Sequence, residues 1–258
     1  MCLIALAHEA HPLFELAVAA NRDEFYSRPS APAAFWEGAP GVLAGRDLRA
    51  GGTWLGLTKN GRFAAVTNYR EPGRYKQDAP SRGTLVARFL TGREEPEAFA
   101  AFLEREGQSY NGFSVIFGSP GLLWHFSNRG GPPELLSPGV HGVSNALMDE
   151  PWPKVEKGKR ALRDLLDARE PLTAEALLGI LSDPEPADEA ALPETGVARE
   201  VEKALSPIFT RTKEYGTRSS TAFTVDREGR VVFVERVFDA DGHEVGRGAF
   251  EFTIGGEP

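Results

Sequence analysis

Short apolar runs separated by turn residues occupy the N-terminal part of the chain. Their length and composition are typical of β-strands. The breaks between them support this interpretation, since Gly51-Gly52 and the Asn-Gly pair within Lys59-Asn60-Gly61 favour tight hairpin turns. We therefore predict a meander of antiparallel strands, at residues 2–7, 14–20, 41–46, 53–58 and 62–68.

Helical and strand-like blocks alternate in the rest of the chain. Apolar residues at three- and four-residue spacing predict helices over 84–90 and 96–106, which we expect to pack on one sheet. An acidic, Pro-containing stretch at 182–196 is predicted to be an exposed loop. The remaining predicted elements are strands at 113–118, 122–127, 139–145, 221–225, 231–238 and 249–254, and helices at 154–169, 173–181 and 197–205.

This order of elements predicts an α+β fold. Strands, helices, strands, helices and strands in succession favour two antiparallel sheets, each with helices on one face, stacked as a four-layer αββα sandwich. Composition does not break anywhere along the chain, and no internal repeat or heptad pattern is present. We therefore expect a single domain over residues 1–258.

Composition and charge narrow the function classes. The chain has 258 residues, 41% hydrophobic and 26% charged, which is typical of a globular protein with a sizeable core. A formal net charge of −8 argues against a dedicated nucleic-acid binder. The apolar start, residues 1–7, is too short to span a membrane and follows no Lys or Arg, so we predict no signal peptide, no membrane span and a cytoplasmic location.

Cysteine and histidine usage argues against several kinds of site. The single cysteine, Cys2, excludes an internal disulfide framework and any zinc site built on clustered cysteines. The five histidines fall at no familiar metal-ligand spacing, and no glycine-rich phosphate loop is present. We therefore predict neither a metal nor a nucleotide cofactor. Oligomeric state is not predictable from the sequence.

The position of Cys2 points to nucleophilic chemistry. Methionine aminopeptidases generally remove Met1 when the second residue is small, which would leave a thiol and a free α-amine on Cys2. An α-amine with a pKa of about 8 can take the proton of a thiol with a pKa of about 8.5, so the residue would carry both nucleophile and base. The alternative is that Cys2 is a small buried apolar residue at the start of an edge strand.

A polar cluster closes the second predicted strand. Asn21-Arg22-Asp23-Glu24 follows the apolar run 16–20, and polar groups bunched at a strand end mark a turn or a site. Together with Cys2, this segment resembles the NRDE family, which includes the transport and Golgi organisation protein 2 homologues. Further blocks that carry the resemblance are GGTWLG at 51–56, TNYR at 67–70, GVSN at 142–145 and YGTRSST at 215–221.

The family pattern is in turn similar to the N-terminal-nucleophile hydrolases, in particular the cholylglycine hydrolase and penicillin V acylase group. Those enzymes cleave amide bonds with an N-terminal cysteine in an αββα fold. The resemblance implies that Cys2 is the nucleophile, Asp23 holds its α-amine, and Asn68 supplies the oxyanion hole. It also implies that Asn145 lies close to the nucleophile and that Arg218 lowers the pKa of the thiol.

One position departs from the acylase pattern. The acylases carry an arginine directly before the asparagine of the NRDE segment, where this chain has Ala20. Either Arg22 takes that role from a neighbouring position or the site lacks it. Each polar residue also has an ordinary alternative, because an Asn before a turn often caps backbone, and Arg22 with Asp23 can form a surface ion pair.

Two functions from different classes follow. The first is an acylase-type amide hydrolase that acts on a small-molecule substrate without a cofactor. The second is a non-catalytic carrier of haem or a hydrophobic acyl ligand, with Cys2 as a thiolate ligand. A third alternative is an interaction protein without a pocket. Five aromatic residues could line an apolar pocket or fill the core: Phe35, Trp36, Trp54, Trp152 and Phe209.

Overall fold

The computed structural model of the protein describes residues 2–256. Thirteen strands and five α-helices are present in this part of the chain. In chain order they are β1 (Cys2–His8), β2 (Phe14–Phe25), β3 (Ser30–Trp36), β4 (Ala39–Asp47), β5 (Leu55–Thr58), β6 (Phe63–Asn68), α1 (Gly83–Thr91), α2 (Pro96–Glu106), β7 (Phe113–Ser119), β8 (Leu122–Ser127), β9 (Glu134–Leu135), β10 (Gly139–Val143), α3 (Pro153–Leu166), α4 (Ala174–Ile180), α5 (Arg199–Ala204), β11 (Tyr215–Asp226), β12 (Arg230–Phe238) and β13 (Glu244–Thr253).

The strands form two antiparallel sheets. One has six strands in the order β10-β1-β2-β11-β12-β13, and the other is a seven-stranded meander from β3 to β9. A core that includes Ile4, Leu57 and Phe223 fills the space between the sheets. Helices α3 and α4 cover the outer face of the first sheet, and α1 and α2 cover the second. The predicted four-layer α+β sandwich is therefore confirmed.

Strand β1 shows how the sequence produces this layering. Successive side chains of a strand point to opposite faces, so Ile4 and Leu6 enter the core between the sheets while Leu3 and Ala5 face the helices. Since both faces are covered, the strand is apolar throughout rather than alternating. Within residues 2–256 no helix is long and apolar enough to cross a membrane.

Most predicted elements occur within a few residues of their expected bounds, and two central strands are longer. Strand β2 continues through the NRDE segment to Phe25, and β11 begins at Tyr215 instead of residue 221. The two extensions pair with each other, Tyr215 opposite Phe25 and Thr217 opposite Asp23, so each satisfies the backbone of the other. The prediction that the polar cluster ends the strand was wrong.

Two strands were missed. Strand β3 contains Pro32 and lies at the edge of its sheet, where a missing N–H costs no ladder hydrogen bond. Strand β9 has only two residues and pairs with β8.

The double glycine after β4 brings the β4–β5 loop against the start of α1. Gly51 has a φ of +74°, and a Cβ at Gly52 would lie 2.5 Å from the backbone of Gly83. The N–H of Thr53 donates to the carbonyl of Gly83 at 3.2 Å. This close approach forms one wall of a pocket at the start of β1.

Candidate active site

A pocket of about 160 Å³ opens where β1 begins. Both sheets contribute to it, so it lies at one end of the interface between them. It brings together five of the six residues that the sequence predicts for the site. Its lining includes Cys2, Arg22, Asp23, Asn68 and Arg218.

Cys2 is buried and sits directly opposite Arg22 in the β1–β2 ladder. Burial raises the pKa of the thiol, and the carboxylate of Asp23 acts in the same direction. The charge of Arg22 and the backbone N–H of Asp23 act against this rise by favouring the thiolate. Met1, whose removal would free the α-amine of Cys2, lies outside the described residues.

Asp23 is a buried carboxylate, not a member of a surface ion pair. The hydroxyl of Thr217 donates to its Oδ1 at 2.8 Å, and the hydroxyl of Thr210 donates to its Oδ2 at 3.3 Å. The ammonium group of Lys154 lies 3.5 Å from the same Oδ2, and both side chains are almost completely buried. Asp23 is therefore fixed by two strands, a loop and a helix beside the thiol.

Lys154 is a site residue that the sequence analysis missed. Burial lowers the pKa of its ammonium group, and Asp23 acts in the opposite direction. Lys154 lies in the first turn of α3, where the helix dipole disfavours a cation. A lysine at this unfavourable position is the one signal in the sequence that an anion lies next to it.

Asn68 and Asn145 have different environments. Asn68 ends β6, is exposed and lines the pocket. Within residues 2–256, no group hydrogen-bonds to its side-chain amide, so the amide can donate to a ligand. Asn145 is buried outside the pocket lining, and its Nδ2 donates to the backbone carbonyl of Asn68 at 2.8 Å.

Ser144 connects this asparagine pair to the nucleophile candidate. Its hydroxyl lies 2.8 Å from the backbone carbonyl of Cys2 and 3.2 Å from Oδ1 of Asn145, and it can donate to either. The chain of contacts therefore runs from Cys2 through Ser144 and Asn145 to Asn68. It ties the start of β1 in one sheet to the end of β6 in the other.

Arg218 occupies a bulge in β11, where the register with β2 shifts between Thr217 and Ser219. Its Nη1 donates to three carbonyls of the segment after β2, those of Phe25, Tyr26 and Arg28, at 3.1, 3.0 and 3.2 Å. Arg218 therefore holds the turn that follows the NRDE segment while it lines the pocket.

Arg22 is the cation nearest in register to the thiol. Its side chain is 12% exposed, and its Nη2 lies 3.8 Å from a carboxylate oxygen of Glu24. Its buried Nη1 has no hydrogen-bond partner in the part of the chain that the structure describes. Further arginines that the sequence analysis did not place in the site also line the pocket: Arg28, Arg46 and Arg82.

The five aromatic residues that could line a pocket lie in different parts of the fold. Trp54 lines the pocket and packs against both neighbouring cores, so it meets both of the alternatives that the sequence left open. Trp36 is buried in the core under α1, and Phe35 packs against the core between the sheets. Trp152 lies under the guanidinium of Arg70, and Phe209 packs edge-on against Phe238. Four of the five therefore serve packing, or line surfaces other than this pocket.

The layering and the pocket define the class of this protein: a four-layer α+β sandwich with a cysteine-containing polar pocket at the end of its two sheets. The chain belongs to the Transport and Golgi organisation 2 family, whose model matches residues 1–240. This confirms the membership that the sequence motifs predict.

Relatives match over nearly the whole chain. The Transport and Golgi organization 2 homolog of Mus musculus is 37% identical, over 98% of this chain and 99% of the relative. The Homo sapiens homolog is 35% identical over the same shares. The Drosophila melanogaster protein is 28% identical over 91% of each chain.

Solved structures show a more remote likeness. The Caenorhabditis elegans ortholog of N-acylethanolamine-hydrolyzing acid amidase is 12% identical, with a TM-score of 0.46 over 70% of this chain and 86% of its own. The C2A mutant of conjugated bile acid hydrolase from Clostridium perfringens is 11% identical, with a TM-score of 0.44 over 97% and 92%.

Proposed function

We propose that this protein is an amide-bond hydrolase that uses Cys2 as its nucleophile once Met1 has been removed. The observation that carries the proposal is the convergence on one pocket of a thiol, a cation, a buried carboxylate and an unoccupied amide donor. These groups match the needs of acyl transfer, which requires a thiolate, a fixed base and donors for an oxyanion.

The reaction proceeds through a thioester. The α-amine of Cys2 takes the thiol proton, and the sulfur attacks the amide carbonyl carbon to give a tetrahedral oxyanion. The C–N bond then breaks, and the leaving amine takes the proton from the α-ammonium group. Water, deprotonated by the same amine, attacks the thioester, and the C–S bond breaks to release the acid and regenerate the thiol.

Neighbouring residues have separate tasks in this scheme. Arg22 stabilises the thiolate, and Asp23 orients the α-amine. Asn68 donates to the oxyanion, because it lines the pocket and its side-chain amide has no hydrogen-bond partner within residues 2–256. Asn145 is a positioning residue that acts through the backbone of Asn68.

Lys154 also contributes to this scheme, because it pairs with the carboxylate of Asp23. The positive charge of Lys154 beside Asp23 disfavours protonation of the nearby α-amine, which therefore stays available as a base. Asp23 therefore orients an amine that is neutral at the start of the reaction.

The dimensions and lining of the pocket favour hydrolysis of a small polar substrate over carriage of a large apolar ligand. Sites for drug-sized ligands usually measure roughly 300–1,000 Å³ and are mostly apolar. This pocket measures about 160 Å³, and charged side chains are prominent in its lining. A haem or a long acyl chain finds little apolar surface there.

Substitution of Cys2 tests the proposal. Release of free amine from a panel of small N-acyl amides is followed with an amine-reactive fluorophore. Cys2→Ala should abolish the release and leave the thermal midpoint almost unchanged, while Cys2→Ser serves as the isosteric control. Amide hydrolysis that persists in Cys2→Ala, or a large loss of stability with activity retained, would assign Cys2 a packing role.

A further inference from the structure

Arginine is concentrated around the pocket although the chain as a whole is acidic. The formal net charge of the protein is −8. The pocket nevertheless collects five arginines from separate segments, against four acidic residues. The arginines are Arg22, Arg28, Arg46, Arg82 and Arg218, and the acids are Asp23, Glu24, Asp47 and Glu235.

Two of the four acids are engaged by other groups of the protein. Asp23 is matched by Lys154, which lies outside the pocket lining. Glu235 is buried, where it accepts from the N–H of Ala33 at 2.6 Å and from the hydroxyl of Thr221 at 3.2 Å. Burial raises the pKa of its carboxyl, and these hydrogen bonds and the charge of Arg22 act against the rise. Five guanidinium groups therefore share the pocket with two further carboxylates, those of Glu24 and Asp47.

Those two carboxylates are already engaged at one side of the pocket. Asp47 accepts from Nη2 of Arg28 at 2.6 Å. Although burial raises the pKa of Asp47, hydrogen bonds from Arg28 and from backbone N–H groups bring it below its ordinary value. Glu24 is shared between Arg22 and Arg28, at 3.8 and 3.7 Å.

Three arginines remain without an acidic partner. Among the described residues, no carboxylate lies within ion-pair distance of Arg46, Arg82 or Arg218. Arg82 donates Nη1 to the carbonyl of Gly112 at 3.0 Å, and Arg46 stacks on Trp36 at 4.2 Å. Burial lowers the pKa values of Arg82 and Arg218, and a neighbouring arginine adds to each shift.

Arg22 supplies a second, independent observation. Its buried Nη1 lacks a hydrogen-bond partner within residues 2–256, although buried polar groups in folded proteins are almost always paired. Arg22 and Arg82 both line the pocket that contains Cys2, and Arg22 sits directly opposite Cys2 in the β1–β2 ladder. A ligand anion beside the thiol would satisfy both side chains.

We propose that Arg22 and Arg82 form an anion subsite next to Cys2, and that the substrate is a small amide carrying a carboxylate, of the N-acyl amino acid class. This inference rests on the proposed function for its reaction but not for its binding step. A planar guanidinium matches a carboxylate through paired hydrogen bonds, and the positive pocket concentrates anions around the thiol.

Competing alkylating reagents test the subsite without any hydrolysis. Iodoacetate and iodoacetamide have nearly the same size, and each alkylates a thiolate with loss of iodide. Because Cys2 is the only cysteine, the mass increase reports one site. The quantity measured is the rate ratio of iodoacetate to iodoacetamide for the native protein, divided by the same ratio for the protein unfolded in urea.

We expect this normalised ratio to be about ten or more at low ionic strength and to fall as salt is added. Arg82→Gln should lower it about five-fold by removing one of the two guanidinium groups. Arg62→Gln is the matched control, since Arg62 also donates to main-chain carbonyls and stacks on an aromatic ring, but lies outside the pocket. A normalised ratio near one in the wild-type protein would overturn the subsite.

A second measurement covers the case in which burial keeps Cys2 from reacting with either reagent. N-acetylglycine should raise the thermal midpoint of the wild-type protein, and neutral N-acetylglycinamide should not. Arg82→Gln should lose the shift, and Arg62→Gln should keep it. Equal shifts with both compounds, or none with either, contradict the subsite. A carboxylate preference without hydrolysis of any amide would retain the subsite and reject the proposed reaction.

Discussion

The pair formed by Asp23 and Lys154 is the most constrained feature at the scale of single residues. Both side chains are almost completely buried. Ion pairs at such depth gain little net stability over an apolar pair, yet removal of one partner leaves a buried charge that is strongly destabilising. The pair therefore constrains the position of Asp23 more than it adds to the stability of the fold.

Lys154→Met should lower the free energy of unfolding by about 3–5 kcal/mol, because it removes the cation that faces the buried carboxylate. Urea unfolding at neutral pH measures the loss. Lys157→Met is the control, since its exposed pair with Asp183 should contribute at most about 1 kcal/mol. The double variant Asp23→Asn with Lys154→Met should recover most of the stability. A loss as small as that of Lys157→Met would show that the two charges are not coupled.

A second cluster at this scale gives a pH dependence. Asp149 accepts from Nδ1 of His141 at 2.7 Å and from the N–H of Gly142 at 2.9 Å, and Lys159 lies 2.9 Å away. Burial raises the pKa of Asp149, but these hydrogen bonds outweigh burial and lower the pKa from 3.8 to about 2. Burial lowers the pKa of His141, but its bond to Asp149 brings it above the ordinary 6.5.

The signs of the two shifts define a window of stability. Asp149 stabilises the fold fully above pH 3.8, and this contribution is lost as pH falls toward about 2. Charged His141 stabilises the fold fully below pH 6.5, and this contribution is lost as pH rises through its higher folded pKa. Urea midpoints should therefore be highest between these limits, and Asp149→Asn should flatten the profile. An unchanged profile in Asp149→Asn would refute the assignment.

At the scale of elements, the pocket depends on how the β4–β5 loop meets α1. Gly52 has no room for a side chain, since a Cβ would lie 2.5 Å from the backbone of Gly83. The contact places Thr53 and Trp54 in the pocket wall. The turn, not a side chain, therefore sets the position of this wall.

Gly52→Ala should cost about 1–3 kcal/mol, because the loop must move away from α1. It should also change the alkylation rate of Cys2, because the pocket wall moves. Gly41→Ala is the matched control, since a Cβ added to Gly41 on β4 would meet no atom within 4 Å, and this variant should stay within about 0.5 kcal/mol of the wild type. Equal stability of the two variants would contradict the close packing.

The elements also show how far the sequence alone leads. Apolar periodicity and turn residues locate most strands and helices, because both signals are local. The extensions of β2 and β11 escape prediction because each polar segment becomes a strand only by pairing with the other, some 190 residues away along the chain. Pro32 and the small residues around it likewise conceal an edge strand.

The site divides in the same way. Cys2, Arg22, Asp23 and Asn68 follow from motifs and from family resemblance, and the fold brings them to one pocket. Lys154 and Arg82 come from the starts of helices far away in the sequence, so only tertiary packing places them beside the thiol. The same packing directs Asn145 to the backbone of Asn68 and not into the pocket.

At the scale of the whole molecule, both sheets contribute to the pocket at one end of the sandwich. The six-stranded sheet supplies Cys2, Arg22 and Asp23, and the seven-stranded sheet supplies Asn68. Ser144 and Asn145 bridge them through hydrogen bonds to the backbones of Cys2 and Asn68. The relative position of Cys2 and Asn68 is therefore a property of the sandwich and not of one loop.

Intact mass spectrometry of the native protein, before and after brief mixing with an N-acyl amide and acid quenching, tests whether Cys2 is the nucleophile. We expect a mass that lacks Met1, and a transient adduct of one acyl group that disappears in Cys2→Ala and that digestion locates on the N-terminal peptide. Retention of Met1, or acylation that is absent or lies elsewhere on the chain, would contradict a nucleophile at Cys2.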